Sequence, residues 1–208
     1  MAETKKNDLL TAAILVSVLY VAAQMLSDIA SLRIVMIAGF SIDAGTFIYP
    51  LTFTLRDMVH KVAGIRAARI LILAAAGINI LMAFMFKAVA LMPPDLSVGP
   101  QIEFGLVLSP IWRIVAASII AEVISELIDT EGYRIWVERV THKYQWARVL
   151  FSNLLSIPID SFIFSFLAFW GVFPNPVVIS IFLSNMIIKG LATLVSIPGI
   201  YLVPEHNS

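Results

Sequence analysis

Apolar stretches long enough to cross a bilayer recur six times along this 208-residue chain. A hydrocarbon core needs about 20 mostly apolar residues per helical span. Runs of that kind lie at 9–27, 44–62, 67–91, 109–128, 147–170 and 177–203. Lipid offers no hydrogen bonds, so each run must satisfy its own backbone, which a helix does. Composition agrees: 60% of residues are hydrophobic, 13% are charged and the mean hydropathy is +0.92. A chain of this length has too little interior to bury so much apolar surface, so lipid must cover much of it. The expected fold is an all-α integral membrane protein with six transmembrane helices.

One domain is expected over residues 1–208. Residues 1–8 form a polar tail, and the run after them lacks a small-residue cleavage pattern, so it reads as a retained span. Residues 28–43 hold the breakers Gly39, with Gly45 just beyond, and a strand-like stretch from Arg33 to Ile37; a hairpin or re-entrant turn fits them. Pro50 falls in the first turns of the second span, where proline is tolerated, and Gly64 ends that span. Pro93-Pro94 stops the third. A polar outer loop is expected at 95–108. Residues 129–146 carry Trp136, Tyr144 and Trp146, which suit an interfacial helix. Gly171 and Pro174-Asn175-Pro176 close the fifth span, Pro198-Gly199 predicts a kink in the sixth, and 204–208 form a second tail.

Basic residues set the orientation. With the N-terminus inside, inner segments carry Lys5, Lys6, Lys61, Arg66, Arg69, Arg134, Arg139, Lys143 and Arg148. The outer side carries Arg33, with Lys87 and Arg113 near span ends. Both termini are therefore expected in the cytoplasm, which requires an even number of spans.

Several function classes fall away. The formal net charge is zero, which argues against a nucleic-acid partner. There is no cysteine, hence no thiol nucleophile or thiolate metal site. His60, His142 and His206 are far apart and have no ligand-like partner at i+3 or i+4, so no metal is expected. Neither a phosphate-binding glycine loop nor a nucleophile elbow is present. Neither an enzyme nor a bound cofactor is expected.

Charges inside the spans are the informative residues, because intramembrane charge is expensive and usually marks a pathway or a site. Arg56 and Asp57 lie in the second span, Glu122 in the fourth with Glu126 and Asp129 after it, Asp160 in the fifth, and Asn185 and Lys189 in the sixth. Gln24 and Asp28 lie toward the end of the first, where Asp28 also fits a role at the helix end. Ser118, Glu122, Ser125 and Asp129 step along one helical face; Asn153, Ser156 and Asp160 step along another. Arg56, Asp57, Glu122, Asn153, Asp160 and Lys189 project to one depth. An enclosed polar cavity between spans 2, 4, 5 and 6 is expected. The competing reading is charge neutralisation alone, with Arg56 on Glu122 and Lys189 on Asp160. Lys189 must find a carboxylate or lose its proton, and Asp160 and Asp57 are the nearest candidates in depth. Phe164 follows Asp160 by four residues and can stack on a planar ligand.

Several segments carry a resemblance. Gly39-Phe40, the run from Ile48 to Asp57, and Gly64 resemble the second-span signature of the queuosine-precursor transporters. Ala116 to Asp129 resembles the fourth span of that family. Arg148, Ser152-Asn153, Asp160-Ser161, Phe164 and Ala168 to Pro174 resemble its fifth, and Lys189 to Pro198 with Tyr201 its sixth. Glu126 stands where the family tends to have glutamine, and His60-Lys61 where an acidic residue is common. The resemblance implies a multi-pass importer in the prokaryotic inner membrane for 7-deazaguanine precursors: 7-cyano- or 7-aminomethyl-7-deazaguanine, or queuine. It implies a fold related to the substrate-binding components of energy-coupling-factor vitamin transporters, and acting as such a component is the alternative function. No energising module is expected for the leading reading, and a homo-oligomer is compatible with it. The site residues are then Asp160, Asn153, Glu122, Phe164, Lys189, Arg56 and Asp57. The chemistry suits them independently. A carboxylate accepts the paired ring N–H and exocyclic amine donors, Asn serves the carbonyl edge, and the aminomethyl cation needs a further anionic or π partner.

Overall fold

The computed structural model describes residues 2–140 and 145–196. Most of them are helical. Helix α1 spans Ala2–Ala30, α2 Tyr49–Ala90, α3 Ile102–Leu108, α4 Ile111–Arg139, α5 Gln145–Phe169 and α6 Asn175–Ser196. Four apolar helical stretches are long enough to cross a membrane: Leu9–Ala30, Arg66–Ala90, Ile102–Ser125 and Asn175–Val195. Asn153–Phe169 in α5 is a shorter apolar stretch.

The chain is not purely helical. Between α1 and α2 lies an antiparallel hairpin of β1 (Ile34–Ile37) and β2 (Phe40–Asp43), paired from Ile34 with Asp43 to Ile37 with Phe40. The β-branched residues Ile34, Val35 and Ile37 favour extended backbone. Its two-residue turn, Ala38-Gly39, has φ of 51° and 85°. Both angles are positive, the arrangement that joins tightly twisted strands and suits glycine. The expected 28–43 hairpin is therefore present. A 3-10 turn, Ala44–Phe47, follows, capped by the Asp43 side chain on the Thr46 N–H.

Other boundaries differ from expectation. Helix α1 starts at Ala2, since Ala, Glu and Lys of the polar tail are good helix formers. The runs expected as second and third spans fall mostly within α2, the first of them beginning in the 3-10 turn; inside α2 Gly64 alone is non-helical, with φ 83° and ψ 168°. Only glycine enters that region cheaply. The 95–108 loop contains α3, an apolar turn of helix with Glu103 favourably placed in its first turn. The expected interfacial helix at 129–146 is, as far as Arg139, a direct continuation of α4. Tyr144 and the Pro198-Gly199 kink lie outside the described residues, as does the tail at 204–208.

Helices α4, α5 and α6 pack through Ile114, Ala117, Ala121, Phe164, Ala168, Phe169, Val178 and Ile181. The alanines let the backbones approach closely. Helix α1 meets α2 at Tyr20, Ala23, Leu55 and Ala75, and α2 meets α4 at Met82, Ala83, Ile111 and Val115. Outer faces present Leu15, Leu73, Leu154 and Leu191, as lipid-covered helices do. Arg113 of α4 closes the end of α5: its Nε donates to the Leu167 carbonyl at 2.7 Å and its Nη2 to that of Trp170 at 2.5 Å.

Candidate functional site

Two polar helical faces and the hairpin converge on one enclosed space. It is lined by Ser27 and Asp28 of α1 and Ser31 just after it, Asp43 at the end of β2, Gly45 and Thr46 of the 3-10 turn, and Tyr49 at the start of α2. Ser118 and Ala121 of α4, Asp160 and Phe164 of α5, and Asn185 and Lys189 of α6 complete it. Four of the lining side chains end in a carboxyl or amino group, and all four are buried. The free volume is only about 10 Å³. That is the room taken by a single water-sized sphere, so the groups are closed on one another.

The centre is an ion pair. Lys189 Nζ meets Asp160 Oδ2, with side-chain exposures of 3% and 2%. The other carboxylate oxygen of Asp160 accepts from Ser125 Oγ at 3.3 Å. Lys189 also lies 4.6 Å from the centroid of the Tyr49 ring and 5.7 Å from that of Phe164. Two aromatic faces and one carboxylate thus hold the ammonium, as its removal from water requires. Pro158 sits inside α5 two residues before Asp160 and removes one backbone donor from the helix there.

The hairpin is tied to this centre. Asp43 Oδ1 accepts from Ser31 Oγ at 2.8 Å and from the Thr46 N–H at 3.1 Å, and Oδ2 accepts from Thr46 Oγ1 at 2.5 Å. Thr46 Oγ1 also lies against Asn185 Oδ1, its one proton serving either this oxygen or Asp43 Oδ2, and Asn185 Nδ2 donates to Ser165 Oγ at 3.4 Å. On the next turns of α6, Ser180 Oγ accepts from the Ser41 N–H at 2.8 Å and Ser184 Oγ donates to the Ser41 carbonyl at 3.1 Å. The hairpin therefore closes one side of the cavity through serines of α6. Gly45 makes this fit possible. A Cβ there would stand 2.0 Å from Ser31 Oγ and 2.4 Å from the Ser27 carbonyl oxygen.

Glu122 lies one turn beyond Ser118, behind the lining residues. Its Oε1 accepts from Tyr20 OH at 2.8 Å and from Gln24 Nε2 at 2.9 Å. Gln24 Oε1 in turn accepts from Asn79 Nδ2 at 3.4 Å. Glu122 thus anchors a polar layer joining α1, α2 and α4.

Of the residues expected at the site, Asp160, Phe164 and Lys189 line the cavity, and Glu122 borders it. Asn153 does not. It lies in a separate groove of about 400 Å³ between α5 and α6, with Leu150, Pro158, Met186 and Thr193. Asn153 shares a helical face with Asp160, but seven residues separate them, about 10 Å along the axis. A shared face fixed direction and left depth unmatched. Arg56 is half-buried, 5.6 Å from the Phe53 ring centroid, and is not a lining residue. The side chain of Asp57 lies outside the described residues. The cavity is thus not bounded by spans 2, 4, 5 and 6 alone: the stretch from Ser27 at the end of α1 to Thr46 of the 3-10 turn supplies six of its residues. Asp28, Asp43 and Thr46 were missed as site residues. Their signal was the Ser, Asp and Thr residues scattered from Ser27 to Thr46, in and beside the segment read as a hairpin or re-entrant turn.

Comparison with known proteins accords with a transport site. Residues 43–203 match the family described as "Putative vitamin uptake transporter". The chain is 25% identical, over 181 residues, to a protein of Bacillus subtilis (strain 168) named "Probable queuosine precursor transporter"; the match covers 86% of this chain and 79% of that one. No solved structure matches the chain.

Proposed function

The chain belongs to the vitamin uptake transporter family, and on that premise we propose that it imports 7-deazaguanine precursors of queuosine. As a family member with several membrane-length apolar helices it is a multi-pass transporter of the prokaryotic cell membrane. The substrate class is the finer step. The observation that carries it is the buried Asp160–Lys189 pair flanked by the Tyr49 and Phe164 rings. A deazaguanine is planar and presents two adjacent N–H donors. Aromatic faces supply stacking, and a carboxylate supplies the paired acceptor. The named function of the Bacillus relative supports the same class.

The closed cavity is too small for a bicyclic base, so loading requires the helices to part and the ligand to compete with Lys189 for Asp160. Binding energy then drives opening, as alternating access requires. Six crossings would come from α1, the two parts of α2 on either side of Gly64, α4, α5 and α6. Both termini would be cytoplasmic, with the whole chain acting as one transport domain. Asp160, Lys189 and Phe164 would contact the ligand, with Glu122 bracing α1 against α4.

The test is uptake of the cyano and aminomethyl compounds into liposomes holding only this purified chain. Saturable uptake by the wild type, absent from Asp160→Asn, supports the reading. Binding without any uptake by the lone chain would instead indicate a substrate-binding component that needs an energising module. Binding of neither compound would remove the deazapurine assignment.

A further inference from the structure

We propose that Asp28 is a second ligand-contact carboxylate of this site, and that through it the site selects a cationic ligand over a neutral one of the same shape. The inference rests on the deazapurine reading and adds a residue and a charge preference to it.

Asp28 lines the cavity, is 3% exposed, and its Oδ2 has no hydrogen-bond partner. Every other charged group on the cavity wall is engaged. Asp160 is held by Lys189 and Ser125, and Asp43 by Ser31 and Thr46. Ser118 of α4 lines the same wall as Asp28. A buried carboxylate oxygen without a donor is costly, so such an atom is a place where a donor is expected to arrive.

A helix-end role does not account for it. Asp28 stands in the last turn of α1, which ends at Ala30. The helix dipole is negative there and disfavours an acidic side chain. The residue is thus placed against local helix stability, as residues kept for a ligand often are.

The surrounding charges point the same way. Asp28 shares the cavity wall with Asp43 at the end of the hairpin and Tyr49 of α2. Asp160 comes from α5 and Lys189 from α6. Among the described lining residues this is three carboxylates against one ammonium, and that ammonium is paired to Asp160. An enclosed site with more carboxyl groups than ammonium groups favours a ligand that brings a positive charge. The aminomethyl form carries an ammonium on the same bicycle on which the cyano form carries a neutral nitrile.

The experiment is calorimetric titration of the purified full chain with both compounds at neutral pH. Wild type should bind the aminomethyl compound at least about tenfold more tightly, the size of one charge-assisted contact. Asp28→Asn should lose more affinity for the aminomethyl than for the cyano compound, collapsing the ratio toward one. Equal wild-type affinities, or an unchanged ratio in Asp28→Asn, would overturn the inference while leaving the deazapurine reading intact. Binding of neither compound by wild type would overturn both. The wild-type ratio needs no variant, so a poorly folding Asp28→Asn does not shield the proposal.

Discussion

Lys189 of α6 and Asp160 of α5 form a buried ion pair at the point where the hairpin, α1 and α4 also meet. Breaking such a pair from one side leaves an uncompensated charge in a low-dielectric interior. Replacing both partners with apolar groups does not. Lys189→Met and Asp160→Leu should each lower the thermal midpoint in detergent strongly, by the equivalent of about 3–5 kcal/mol. The double variant should recover a large part of that loss. Additive losses in the double-mutant cycle would show that the two side chains do not depend on one another.

Phe164 should matter to ligand more than to folding. It is 9% exposed, lines the cavity and packs edge-on against Phe169 at 5.7 Å between centroids. Phe164→Leu keeps most of the apolar volume and removes the π face. Stacking on a base is worth about 1–3 kcal/mol, so affinity for either deazapurine should drop about fivefold or more, beyond the modest loss of melting temperature expected from trimming a core side chain. Retained wild-type affinity would place the ligand elsewhere in the cavity.

Gly45 tests the hairpin's seat. Gly45→Ala sets a methyl against Ser31 and the α1 backbone. Overpacking of this kind costs about 1–3 kcal/mol. Gly77→Ala is the control, because a Cβ there meets nothing within 4 Å in the interior of α2. It should be neutral or stabilising by up to about 1 kcal/mol. Thermal stability that fails to separate the two variants would mean that the hairpin does not press on α1.

Gly64 tests the break in α2. Its φ of 83° disfavours any side chain, although no atom crowds the position. Gly64→Ala should destabilise by about 1–3 kcal/mol through backbone strain alone. A neutral result in a thermal melt would indicate that α2 runs straight through residue 64.

Topology is open to cysteine labelling, since the chain has no native cysteine. Single cysteines at Glu3 and His206 should stay unlabelled by an impermeant maleimide in intact cells and react after permeabilisation. Labelling of either one from outside would reverse the proposed orientation.

Length and hydropathy alone determined that this chain is a membrane-embedded helical protein, because apolar runs of span length have few alternatives in water or lipid. Local residue chemistry determined the Gly39 hairpin, the Gly64 break and the Pro93-Pro94 stop, since each needs only its own φ or a missing N–H. Periodicity placed Asp160 and Phe164 on one face, and the cost of an unpaired intramembrane ammonium predicted a carboxylate for Lys189. Which carboxylate it takes was decided in three dimensions, by the way α5 and α6 pack. Tertiary structure also decided depth, removing Asn153 from the cavity wall into the groove between α5 and α6. It brought Asp28, Asp43 and Thr46 to the ion pair, because a hairpin folded back between helices joins residues that no helical or strand period relates. Side-chain spacing reports direction around one element, whereas a site is made by distances between elements.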